Sequence, residues 1–137
     1  MKGAHDLDFE RAMDTAREAS RNAYAPYSNF HVRAAILTEG GALHSGCNVE
    51  NASYGLAICA ERNAAATMVF ADPEDRKIRL VAVFSPNASP CFPCGACRQV
   101  LREFGCKEVV VEEASGGLRR YPFEEILPHA FGPEDLR

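Results

Sequence analysis

Cys59-Ala60-Glu61-Arg62 and Pro93-Cys94-Gly95-Ala96-Cys97 decide how this chain is read. A thiol, a carboxylate two residues later and a distant C-x-x-C pair can make one site. Three thiolates satisfy Zn²⁺ at three corners of a tetrahedron and leave the fourth for water. Glu61 is too close in sequence to Cys59 to be a comfortable fourth ligand, and it is well placed to carry protons beside that water. Cys94 and Cys97, three residues apart at a helix start, set their sulfurs on one face near the free N–H groups. A helix N-terminus and a cation both lower thiol pKa, so both can be thiolates at neutral pH.

Each of these residues also has a plainer reading. Cys-Gly-Ala-Cys alone fits a redox motif equally well; Cys59-x-Glu61 on a second helix shifts the balance to zinc. Cys91-Phe-Pro-Cys94 adds an overlapping C-x-x-C, and Cys91 with Cys59 would close a four-thiolate structural site. Cys91 precedes Pro93, however, and so lies outside the helix, while a closed site leaves Glu61 without a task. The open, catalytic site is therefore expected. Three thiolates on Zn²⁺ leave a net negative charge that opposes ionisation of the water. Arg62, three residues past Cys59, can donate to the sulfurs and offset that charge. Cys47 and Cys106 read as small buried hydrophobes. His5, His31, His44 and His129 lack metal-ligand spacing.

A length of 137 residues fits one domain, 1–137, with a single core. The net charge is −4, from 15 Lys and Arg against 19 Asp and Glu. That balance speaks against a partner as basic-seeking as a long nucleic acid, and Arg98, Arg102, Arg119 and Arg120 read as solvated charge among acidic neighbours. No apolar run approaches the roughly 20 residues that span a bilayer. The opening MKGAHDLDFE turns acidic at once and lacks an apolar signal region. A cytoplasmic protein is expected, and its six cysteines then point to metal or redox chemistry rather than disulfides.

Apolar residues at i, i+3, i+4 predict a helix over 6–22, from Leu7 to Ala19, with Asp6 or Asp8 as its cap. Val32 to Thr38 and Ala42 to Asn48, joined by Glu39-Gly40-Gly41, predict a hairpin. A helix over 58–71 is apolar on several sides and is expected to be buried. Ile78 to Ser85 reads as a central strand by its β-branched run. Cys94 to Phe104 reads as a second core helix with Pro93 in its first turn. Val109-Val110-Val111 is a further strand, Arg119 to Pro122 an edge strand, and Phe123 to Leu127 a short helix. Helices interleaved with such strands give an α/β layered domain with a mixed sheet.

Taken together, Gly46-Cys47-Asn48-Val49-Glu50-Asn51-Ala52-Ser53-Tyr54-Gly55, Cys59-Ala60-Glu61-Arg62 and Pro93-Cys94-Gly95-Ala96-Cys97-Arg98-Gln99-Val100-Leu101 resemble the small zinc-dependent cytidine deaminase family. The end of the chain, from Leu127 to Leu136, is similar as well. The resemblance implies a three-layer α/β/α sandwich with a mixed central sheet, one Zn²⁺ per subunit, and a homotetramer with shared active sites. It implies hydrolytic deamination of cytidine and deoxycytidine in pyrimidine salvage. It agrees with the spacing argument above, which takes Cys59, Cys94 and Cys97 as metal ligands, Glu61 as the catalytic acid–base, and Arg62 as the tuner of zinc-site charge. Asn48 and Glu50 would hold the ribose hydroxyls, the Ala60 N–H the pyrimidine O2, and Phe30 one wall of the pocket. Phe131 would be an aromatic contributed by a neighbouring subunit. Two residues depart from the pattern: Arg33, where the family usually has Gly, and Cys91. Arg33 fits either an outward strand position or a contact between subunits. Deaminases of polynucleotides or of nucleoside-like antibiotics, and a zinc-stabilised module without activity, are the rival readings.

Overall fold

One mixed sheet carries both halves of the metal motif to the same edge. In this computed structural model, which describes residues 4–18 and 21–136, β1 (Arg33–Thr38) and β2 (Leu43–Cys47) form the expected antiparallel hairpin. β3 (Ile78–Phe84) pairs antiparallel with β1 and parallel with β4 (Glu108–Glu112), and β5 (Leu118–Pro122) closes the far edge. The strand order is β2-β1-β3-β4-β5, so β3 is central, as its apolar run predicts. Among the described residues α1 (Ala4–Glu18) covers one face, while α2 (Ala60–Ala71) and α3 (Gly95–Glu103) cover the other. The result is the three-layer α/β/α arrangement. α4 (Phe123–Ile126) follows β5 directly.

Alternation along the strands divides the core in two, because successive side chains leave opposite faces. Ala35, Leu37, Leu80, Ala82 and Val110 meet Ala12, Met13 and Ala16 of α1. On the other face Ala34, Ile36, Val81, Val83, Val109 and Val111 meet Ala60, Ala64, Ala65 and Met68 of α2 and Leu101 of α3. Each fully buried Val, Leu or Ile stabilises the fold by about 1.5–3 kcal/mol relative to exposure. Gly46 lets β2 touch α2: a Cβ there would lie 2.5 Å from the Ala64 nitrogen and 2.6 Å from the Ala60 oxygen. Any side chain at 46 would push away the helix turn that carries Glu61.

Several expectations change. α1 begins earlier than predicted, so Asp8 lies within it and pairs with Arg11 and Arg79 instead of capping the helix. Ala19 and the Asp6 side chain lie outside the described residues. α2 is buried on one side; Phe70 on its outer side is 92% exposed, because among the described residues no element covers that face. Pro93 precedes the N-cap Cys94 rather than sitting in the first turn of α3. Arg33 does not point outward: it is fully buried in β1, which has neighbouring strands on both sides and helices on both faces. Burial pushes its pKa down. Cys47 is half-exposed rather than a core residue, with its thiol on the Asn22 carbonyl at 3.3 Å.

Candidate active site

α2 runs toward the start of β3, and α3 follows its end. Both helix N-termini therefore meet at the edge of the sheet where β3 finishes, β1 begins and β2 ends. Cys59 is the N-cap of α2 and Cys94 the N-cap of α3, each in an extended conformation and neither using its side chain as a cap. Their sulfurs are thus left for another partner. Cys97, in the first turn of α3, is fully buried.

The sulfurs of Cys59, Cys94 and Cys97 lie within 4.8 Å of one another. Cys59 Sγ is 3.7 Å from Cys94 Sγ, and Cys94 Sγ is 3.5 Å from Cys97 Sγ. A tetrahedral zinc site with Zn–S of about 2.3 Å requires sulfurs about 3.8 Å apart. The trio fits zinc, and among the described residues it is the group of three or more His, Cys, Asp or Glu able to hold a metal.

Cys91 stands outside that group, so the closed four-thiolate site does not form. Burial, with the Glu61 carboxylate nearby, pushes the Cys91 thiol up to about 11. A Cys91→Ser protein is expected to keep one zinc per chain, measured by atomic emission. Loss of the metal would restore the structural reading.

Glu61 is 3% exposed, in the first turn of α2, and lines the same pocket as Cys59 and Cys94. Burial pushes its carboxyl above the usual range, opposed by the charge of Arg62. A carboxyl whose charged form is disfavoured by burial is suited to both take and return a proton. Arg62 Nη2 lies 3.8 Å from Cys59 Sγ, and this contact holds the guanidinium pKa up. Arg62 thus touches the sulfurs, as its spacing from Cys59 implies.

The pocket, about 250 Å³, is lined by Phe30, Asn48, Glu50, Ala60 and Glu61, with Cys91 and Phe92 on the loop before α3. Asn48 does structural work as well: Oδ1 accepts from Val32 N at 2.9 Å, and Nδ2 donates to the Phe30 carbonyl at 2.8 Å. One amide therefore fixes the segment carrying Phe30. Glu50 accepts from the Tyr27 and Ser28 nitrogens at 3.0 and 3.1 Å and from Ser28 Oγ. The Ser28 bond leads in holding its carboxyl below the usual range, leaving a carboxylate suited to accept from hydroxyls. Phe131 does not line this pocket. It is 58% exposed, and its carbonyl accepts from Gln99 Nε2 at 2.8 Å.

Sequence reasoning missed Arg98. Its Nε donates to the Pro93 carbonyl at 2.8 Å and Nη1 to the Ile126 carbonyl at 2.7 Å, tying the metal loop to α4. It is not solvated charge. Nothing in the local pattern marks it, because Ile126 lies 28 residues away and is brought near only by the fold.

Three thiols gathered round an open corner, a buried carboxyl beside them and a pocket above define a zinc-dependent hydrolytic domain. The family model for the cytidine and deoxycytidylate deaminase zinc-binding region matches residues 8–113. The chain belongs to that family. It is 39% identical over 134 residues to a cytidine deaminase of Sporosarcina psychrophila, spanning 95% of this chain and 96% of that one. A cytidine deaminase of Mycobacterium tuberculosis H37Rv is 38% identical over 131 residues, spanning 96% and 95%. The crystal structure of cytidine deaminase from Burkholderia pseudomallei superposes with a TM-score of 0.79 at 42% identity, covering 95% of this chain and all of that one.

Proposed function

We propose that this chain, as a single domain, catalyses hydrolytic deamination of cytidine and deoxycytidine to uridine and deoxyuridine, releasing ammonia in pyrimidine salvage. The observation that carries the reading is Glu61 buried beside the sulfur trio, at the base of a pocket that also presents Asn48 and Glu50. Zinc held by Cys59, Cys94 and Cys97 would supply a Lewis acid that brings water toward a pKa of about 7. Glu61 takes a proton from the attacking water and delivers it to ring N3 as oxygen adds at C4. The hydroxyl proton at C4 then passes, through Glu61, to the amino nitrogen, and the C4–N bond breaks to release ammonia as the C4 carbonyl forms. The free N–H of Ala60, at the start of α2, faces the pyrimidine O2. Phe30 packs on the base, while Glu50 and the spare valences of Asn48 hold the ribose hydroxyls.

Arg62 offsets the charge of three thiolates. An Arg62→Gln protein is expected to lose about tenfold in turnover, the worth of one charge-assisted bond, with an altered pH profile. An unchanged rate and profile refute the role.

Among the described residues no helix is long and apolar enough to cross a membrane. The described cysteines are all free thiols, which suits the reducing cytoplasm. The exposed apolar face of α2 around Phe70, and Phe131 standing clear of its own pocket, support a homotetramer in which subunits complete one another's sites. The decisive assay is ammonia release from free cytidine, which should stop when a zinc chelator is added. Activity confined to polynucleotides, or none on cytidine, overturns the reading.

A further inference from the structure

Phe92 and Tyr121 carry an inference about how the base is held, which rests on the nucleoside reading above. Phe92 lies two residues before Cys94 and one after Cys91, in the loop that lines the pocket beside Glu61. Its chain position ties it to the metal site, and it is 37% exposed. It is also not free to swing. The Tyr121 ring meets it edge-on, with centroids 5.3 Å apart and planes at 68°.

Tyr121 is itself fixed from two sides. It belongs to β5, opposite Val109 of β4, and packs against the core on the α2–α3 face. The Arg119 guanidinium lies 4.9 Å from its ring centroid. A cation over one ring and an edge contact to the next form a small preorganised stack. The edge strand, farthest from the β1–β2 hairpin, thus contacts a pocket-lining ring through Tyr121.

We propose that Phe92 is a substrate-binding residue whose ring forms a second aromatic wall of the pocket, beside Phe30, against which the pyrimidine packs, and that Tyr121 is the positioning residue that holds it there. An aromatic wall acts on the flat, polarisable base and not on the chemical step. Its loss therefore weakens binding and spares turnover.

The test is a double-mutant cycle on the zinc-loaded protein. Phe92→Ala is expected to raise KM for cytidine about fivefold to tenfold, the worth of one aromatic contact, with kcat within about twofold and zinc at one per chain. Phe92→Tyr is expected to restore the wild-type KM. Tyr121→Ala should raise KM by a smaller factor and add nothing when combined with Phe92→Ala, because both changes remove one wall. Should Phe92→Ala fail to fold, Phe92→Leu, which keeps bulk and loses the aromatic face, is expected to show an intermediate rise. The proposal is overturned if KM stays within about twofold of wild type in Phe92→Ala, or if the two changes multiply as independent sites do. Calorimetric binding of uridine runs alongside. A wild-type protein that binds uridine yet releases no ammonia from cytidine defeats the deamination reading, and the variants then decide the wall by Kd. A protein that binds no nucleoside defeats both.

Discussion

Replacing Glu61 by Gln is expected to lower turnover of cytidine by about 10²–10⁴, the usual worth of a positioned proton carrier. Zinc content and nucleoside affinity should stay near wild type. Gln keeps the volume and an acceptor oxygen but cannot take a proton from water and return it to the ring. The fold should not suffer, because burial already disfavours the charged form of Glu61, and a neutral amide removes that penalty. Steady-state rates, with uridine binding by calorimetry, check both halves. A Glu61→Gln protein within tenfold of wild-type turnover would remove Glu61 from the chemistry.

Cys97→Ser is expected to be more damaging. Cys97 is fully buried in the first turn of α3, and its sulfur completes the trio. Serine leaves two thiolates and a neutral hydroxyl, a poor set for zinc. Metal content should fall from one per chain toward zero, and deamination should fall to background. The melting temperature should fall too, because a metal that binds only the folded state stabilises it. The wild-type protein treated with chelator should approach the same melting temperature, and the variant should not respond to chelator. A variant that keeps a full complement of zinc would show that the ligand set is misassigned.

Much of the active site could be read from local sequence because its chemistry is carried by short spacings. Cys59-x-Glu61 and Cys94-x-x-Cys97 sit at helix starts, where the first turn fixes side chains relative to free N–H groups. The hairpin, the central β3 and the edge β5 followed from alternation and β-branched runs, which the two-faced sheet satisfies. Where a helix end or a face was misjudged, the competing influence was tertiary. The apolar character of α2 suggested burial, yet among the described residues nothing lies over Phe70.

Composition, spacing and periodicity by themselves determined an α/β layered domain, three candidate thiolate ligands and a carboxylate placed to be their candidate proton carrier. Those features depend on neighbours within one or two helical turns, and the backbone geometry of a helix start is the same wherever it occurs. Only the tertiary structure decided that Cys91 stays outside the sulfur trio, that Arg33 is buried, and that Arg98 ties the Pro93 loop to α4. The same is true of the Phe92–Tyr121 contact, which joins the zinc loop to the edge strand. Each depends on groups far apart in the chain, and their distances are set by how the sheet brings its strand ends together.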